Sequence, residues 1–211
     1  PHIRWLLEKG FSSNMSTREP FDFSRAMRRL CHDISTRIDE FHHIRIDEVA
    51  VTFAQARRRV SHGLQAKLTP MRFKDGSLET ERYGRLWTLK RLYRHDLEML
   101  YILTFYLPRF LNQSFHEKMV TIFHELYHIS PLFNGDIRRL AGRCHVHSGS
   151  QKNFDRQMGV LVDRYLELKP PKELYAFLRK RFGTLQKQYD GVVGLQVPIP
   201  KLIPLPDTKA A

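Results

Sequence analysis

Two histidines and a glutamate stand at a spacing that suits a hydrolytic metal ion. They are His124 and His128 flanking Glu125 in His124-Glu125-Leu126-Tyr127-His128, an H-E-x-x-H pentapeptide. On a helix, residues four apart share a face, so both imidazoles can grip one ion. Glu125 then lies beside that ion, where its carboxylate can act as general base on an activated water. Two imidazoles suit zinc, which is redox-inert, and Zn2+ is the expected ion. Leu126 and Tyr127 bring no further charge between the ligands.

The flanking residues supply the helix that this chemistry needs. Ser114-Phe115-His116-Glu117 fits a capping box, in which Ser114 and Glu117 satisfy each other's free backbone N–H groups. No residue from there to Ile129 breaks a helix, and Ser130-Pro131 stops it, because proline disfavours helical geometry in the residue before it. Val120, Phe123, Leu126 and Tyr127 offer an apolar face for a core.

A catalytic zinc takes three protein ligands and keeps one position open. The residues after His128 are Ile129-Ser130-Pro131-Leu132-Phe133-Asn134, so the closely spaced third histidine of metzincins is absent. The first glutamate downstream, Glu167, is distant and near a predicted helix end. The candidates are therefore His145 and His147, in Arg143-Cys144-His145-Val146-His147. Two histidines of the motif leave one protein ligand to be supplied, so one of the two is expected to bind. His147 is preferred because it stands closer to the next helix, and His145 is the alternative. Asp136 is a candidate to receive the free N–H of a metal-bound histidine, with turn capping as its plainer role. Arg143, like Arg138 and Arg139, is a candidate to stabilise an oxyanion, with loop-holding ion pairs as the plainer role. Cys144 is either a ligand or a small buried hydrophobe.

Composition sets the wider bounds. A chain of 211 residues suits one domain with tails, and 42% hydrophobic residues can build a core. No apolar stretch reaches the length of a membrane span, and none near the start suits a signal peptide. The first residue is proline, so the natural start is expected upstream. Cys31 and Cys144 make no disulfide framework, which favours a cytoplasmic location. The net charge of +13 favours anionic partners, nucleic acid among them, although the basic clusters are scattered along the chain.

The hydrophobic pattern orders the rest. Residues 1–20 read as an irregular segment, 21–190 as a single domain and 191–211 as a proline-rich extended tail. Met27, Leu30, Ile34, Ile38 and Phe41 recur at helical spacing and predict a helix over 21–41. Strands are predicted over 48–56, 64–73, 82–93 and 98–107, with a turn at Lys74-Asp75-Gly76-Ser77. Helices follow over 152–168 and from Pro171 to about residue 189. Clustered strands that do not alternate with helices imply an α+β fold with a small antiparallel sheet of three to four strands.

Three stretches resemble a known group. They are Phe105-Tyr106-Leu107-Pro108-Arg109-Phe110-Leu111, the metal helix to His128, and Ile129 through Ile137-Arg138-Arg139, with Gly142-Arg143 and His147 beyond. They look like metallopeptidases of phages and of bacteria such as planctomycetes, whose layout is similar to that of SprT-like minimal zincins. The resemblance implies a zincin-like fold with an N-terminal helix, a small sheet, the H-E-x-x-H helix and further C-terminal helices. It also implies zinc on His124, His128 and His147, Glu125 as general base, and hydrolysis of peptide bonds in a peptide or protein substrate. One departure leaves the third ligand open. In SprT-like proteins an aromatic commonly follows the third histidine after four residues, whereas Phe154 is seven beyond His147. The alternative class is a nucleic-acid-associated protein, either with a structural zinc or as a SprT-like protease acting on DNA-bound proteins.

Overall fold

The computed structural model describes residues 18–56, 63–139 and 151–206. Its strands are β1 (Phe21–Asp22), β2 (Val49–Gln55), β3 (Ala66–Pro70), β4 (Glu79–Arg82), β5 (Arg85–Leu89), β6 (Tyr93–Arg94), β7 (Leu97–Glu98), β8 (Tyr101–Leu107), β9 (Val192–Val193) and β10 (Leu202–Pro204). Its α-helices are α1 (Phe23–Arg37), α2 (Phe115–Tyr127), α3 (Gln151–Glu167), α4 (Lys172–Tyr175) and α5 (Phe182–Gln188). The class is α+β. No helix among the described residues is long and apolar enough to cross a membrane.

The first helix begins where Asp22 accepts a 2.9 Å hydrogen bond from the Arg25 N–H, filling one of the donors a helix start leaves unpaired. Phe23, Met27, Leu30 and Ile34 recur along one face and are fully buried. That stripe lies on the central sheet, whose order is β2-β8-β3. Val49, Val51, Tyr101, Leu103, Phe105, Ala66 and Leu68 join the helices in the main core. The opposite side of the sheet carries a smaller cluster of Ala50, Met71, Met99 and Ile102. The sorting of Ile102 from Tyr101 and Leu103 is the two-residue alternation of a strand.

The central sheet is mixed and not antiparallel. β3 runs antiparallel to β8, with Leu68 opposite Leu103, whereas β2 runs parallel to β8, with Val51 opposite Leu103. Parallel neighbours need a long connection, and residues 56–100 supply it. The predicted strand over 82–93 is also corrected. The chain turns at Tyr83 and Gly84, both at positive φ, and β4 pairs antiparallel with β5. The predicted helix from 171 to 189 is broken into α4, a 3-10 turn at Ala176–Arg179 and α5.

The tail is laid along the fold as far as residue 206. β9 pairs with β1, Leu195 accepts a hydrogen bond from the Phe53 N–H, and β10 pairs with β5.

Candidate metal centre

The motif helix forms as its sequence dictates. Ser114 accepts from the Glu117 N–H, and Glu117 accepts from the Ser114 N–H at 2.8 Å, the reciprocal capping box. Met119, Ile122, Phe123 and Leu126 point into the core and are fully buried. Phe123 meets Phe41, just beyond α1, and Tyr165 on α3, at ring separations of 5.5 and 5.9 Å. Aromatic contacts of this kind fix the rotation of α2 about its axis. The neighbouring face carries His124, Glu125 and His128, which line a cavity of about 760 Å³.

The two motif histidines stand together, with ring centroids 4.7 Å apart. His128 caps α2 but keeps helical backbone angles, so its ring stays on the His124 face. Phe154 on α3 packs against both, stacked on His128 at 5.8 Å and edge-on to His124 at 4.8 Å. The Asp155 carboxylate lies 2.9 Å from His124 Nδ1. With the proton on Nδ1, His124 donates to Asp155 and carries its lone pair on Nε2, the tautomer in which an imidazole can bind a metal. Asp155 was not among the sequence candidates. Its signal is the packing of α3 on α2, which no local pattern carries.

Glu125 faces strand β3. Its Oε2 accepts a 2.6 Å hydrogen bond from the Leu68 N–H. Burial pushes the carboxyl up to about 7, against lesser opposite pulls from that hydrogen bond and from Lys67. Because the Leu68 N–H points to Glu125, it points away from β8, and alternation gives Ala66 the same outward direction. The cavity is therefore walled by α2 on one side and by the edge of a strand on the other.

Asp136 does other work. Its carboxylate accepts from the backbone N–H groups of Asp75 and Ile137 and from the Arg139 guanidinium. The Tyr101 hydroxyl donates to the Asp136 carbonyl at 2.8 Å. Arg138 holds the end of α2: its N–H donates to the His128 carbonyl and its Nε to the Tyr127 carbonyl, both at 2.7 Å. These contacts give Asp136, Arg138 and Arg139 roles in organising the loop after the motif. Tyr127 packs against Phe41 and Phe154, with the Arg138 guanidinium 4.1 Å over its ring.

Arg143, Cys144, His145 and His147 lie outside the described residues. Among the described residues no group of three His, Cys, Asp or Glu forms a metal-holding cluster. The described chain nonetheless approaches the site from both flanks of 140–150. Arg138 bonds the His128 carbonyl on one side, and Asp155 meets His124 on the other. Two close imidazoles, one with its tautomer set by a carboxylate, and a buried neighbouring carboxyl fit a zinc ion completed by one further ligand.

Comparison with family models, curated proteins and solved structures finds no match to this chain.

Proposed function

We propose that the chain is a zinc-dependent metallopeptidase with Glu125 as general base. The observation that carries this reading is the pair His124 and His128, 4.7 Å apart, with the Glu125 carboxyl buried beside them against a strand edge. The third ligand is His147, with His145 as its alternative. These histidines would hold the ion, which when bound would supply an acidic water and polarise the scissile carbonyl.

The chain's own groups do the rest. The Glu125 carboxyl, held beside the two imidazoles, would accept a proton from the attacking water and return it to the leaving amine. The outward N–H and carbonyl of Ala66 and the outward carbonyl of Leu68 suit an extended peptide lying along β3, main chain to main chain. Asp155 keeps His124 in the metal-binding tautomer.

The test pairs metal analysis with a peptide-library cleavage screen. Wild type is expected to hold one zinc per chain and to cleave. Glu125→Gln is expected to hold zinc and not cleave, and His147→Ala to lose zinc. A closed structural site would hold zinc with four protein ligands and cleave nothing. Cleavage by Glu125→Gln at the wild-type rate would overturn the reading.

A further inference from the structure

The small sheet β10-β5-β4 sorts its charge by face. Residues opposite each other in an antiparallel pair point to the same side. Arg82 faces Arg85, and Thr80 faces Trp87, so Arg82, Arg85 and Trp87 share one face. Glu79 and Glu81 fall on the other, opposite Thr88 and Leu86. No residue of this sheet is buried. The Trp87 indole donates to the Arg82 carbonyl at 3.3 Å, and the Arg85 guanidinium lies 5.9 Å over its ring. Tyr83, at the turn, is wholly exposed.

From β5 the chain runs directly into a second cavity, of about 1130 Å³. Its cations come from two elements: Arg25 and Arg28 on α1, and Lys90, Arg91 and Arg94 around β6. Arg28 pairs with Asp47 and Arg91 with Glu98. Arg25, Lys90 and Arg94 have no carboxylate partner among the described residues. Asp22 and Asp96 are the acids of the lining, and Asp22 caps α1. Leu92, Met99 and Leu195 give it an apolar floor, and Tyr93 is exposed with the Arg91 guanidinium 5.3 Å over its ring. From Arg82 to His95 the chain carries Arg82, Arg85, Lys90, Arg91 and Arg94 interleaved with Tyr83, Trp87 and Tyr93, and no acid.

We propose that the Arg82–Arg85–Trp87 face and the adjoining cavity form a binding site for single-stranded nucleic acid. Phosphates meet the guanidinium and ammonium groups, and unpaired bases stack on Trp87, Tyr93 and Tyr83. An acidic peptide would use the cations and leave the rings unmatched. A duplex would present no free base face to them. The site shares no lining residue with the cavity at His124 and His128, so it stands independently of the metallopeptidase reading.

The test is fluorescence anisotropy of the full chain with a labelled oligothymidylate at increasing potassium chloride. Binding is expected to weaken with a log–log slope of about −3.5 if Arg25, Arg82, Arg85, Lys90 and Arg94 each meet a phosphate. The triple variant Arg82→Glu, Arg85→Glu, Arg94→Glu is expected to lose affinity by at least a hundredfold. Trp87→Ala and Tyr93→Ala are each expected to lose roughly tenfold, and Trp87→Phe to recover most of the loss. Circular dichroism identifies any variant that fails to fold, and Tyr93→Ala then carries the stacking test. Glu125→Gln is expected to bind as wild type. No saturable binding, or equal affinity for a duplex, overturns the proposal. Equal displacement by polyglutamate with no effect of Trp87→Ala or Tyr93→Ala also overturns it and makes the surface an acidic-peptide site. Loss of binding in Glu125→Gln would move the ligand to the other cavity and overturn it as well.

Discussion

Glu125 Oε2 and the Leu68 N–H are joined by a 2.6 Å hydrogen bond, which ties helix α2 to the outer edge of strand β3. The bond sets the buried carboxyl against the strand edge that lines the cavity. It also fixes how far the helix stands from the sheet, and so the width of the cleft.

The Glu125 carboxyl gives the metal-free protein a pH signature. Its folded value is pushed up to about 7 from an ordinary 4.5. Between those values the native state holds more protons than the unfolded state, so stability falls as pH rises through the window and levels off above it. Glu125→Gln is expected to remove that slope. Urea unfolding of chelator-treated protein from pH 4 to pH 8 checks this, and parallel curves for the two proteins would sink it.

Asp155 is expected to act through His124. Asp155→Ala should lower zinc affinity about 10- to 100-fold, the usual cost of losing a carboxylate behind a metal-binding imidazole. Asp155→Asn, which can still accept from Nδ1, should lie between. Calorimetric titration of the apo protein with zinc measures the affinities. Wild-type affinity in Asp155→Ala would show that Nδ1 needs no partner.

Phe154 packs against His124, His128 and Tyr127, and is 2% exposed. Phe154→Ala should destabilise the fold by about 3–5 kcal/mol, the range for a deleted core phenylalanine. Phe154→Leu should recover much of that stability yet leave the imidazoles less firmly held. Chemical denaturation and zinc titration on the same samples separate the two effects.

Lys118 is a charge within the core. It is 1% exposed, and its ammonium donates to the Leu178 and Lys180 carbonyls at 2.7 and 2.9 Å. Burial lowers its value to about 8 from 10.5. Between pH 8 and 10.5 the native state holds fewer protons than the unfolded state, so its contribution to stability rises with pH there, and the burial cost is complete below 8. The difference in unfolding free energy between wild type and Lys118→Met is expected to change across that window and nowhere near pH 6.

The parts of the fold that depend on near neighbours could be read from the chain. The capping box at Ser114 and the stop at Pro131 bound α2. The stripe from Met27 to Ile34 marks α1. Asp155 could not be read, because α3 brings it to His124 from 31 residues away. The direction of β2 depends on how residues 56–100 cross over, and alternation within a strand carries no sign of direction. The turn at Tyr83-Gly84 was hidden because tyrosine seldom adopts positive φ. The break after α4 has a partner far off in sequence: the Leu178 and Lys180 carbonyls turn to Lys118.

The two ends of the arm that carries the basic sheet lie side by side. Pro70 stands opposite Tyr101 on the ladder, and the Met71 N–H donates to the Leu100 carbonyl at 3.0 Å. In topological terms β3 and β8 are one hairpin, and everything from residue 72 to 99 is an elaboration of its turn. A short turn could close the same ladder without shifting the register of Leu68 against Leu103, and so without moving the edge that meets Glu125. Removal of the arm would leave β10 without its neighbour, Asp136 without the Asp75 N–H and the smaller core cluster without Met99. The arm is therefore a separable insertion in topological terms, and the helix that carries His124 and His128 keeps its strand without it.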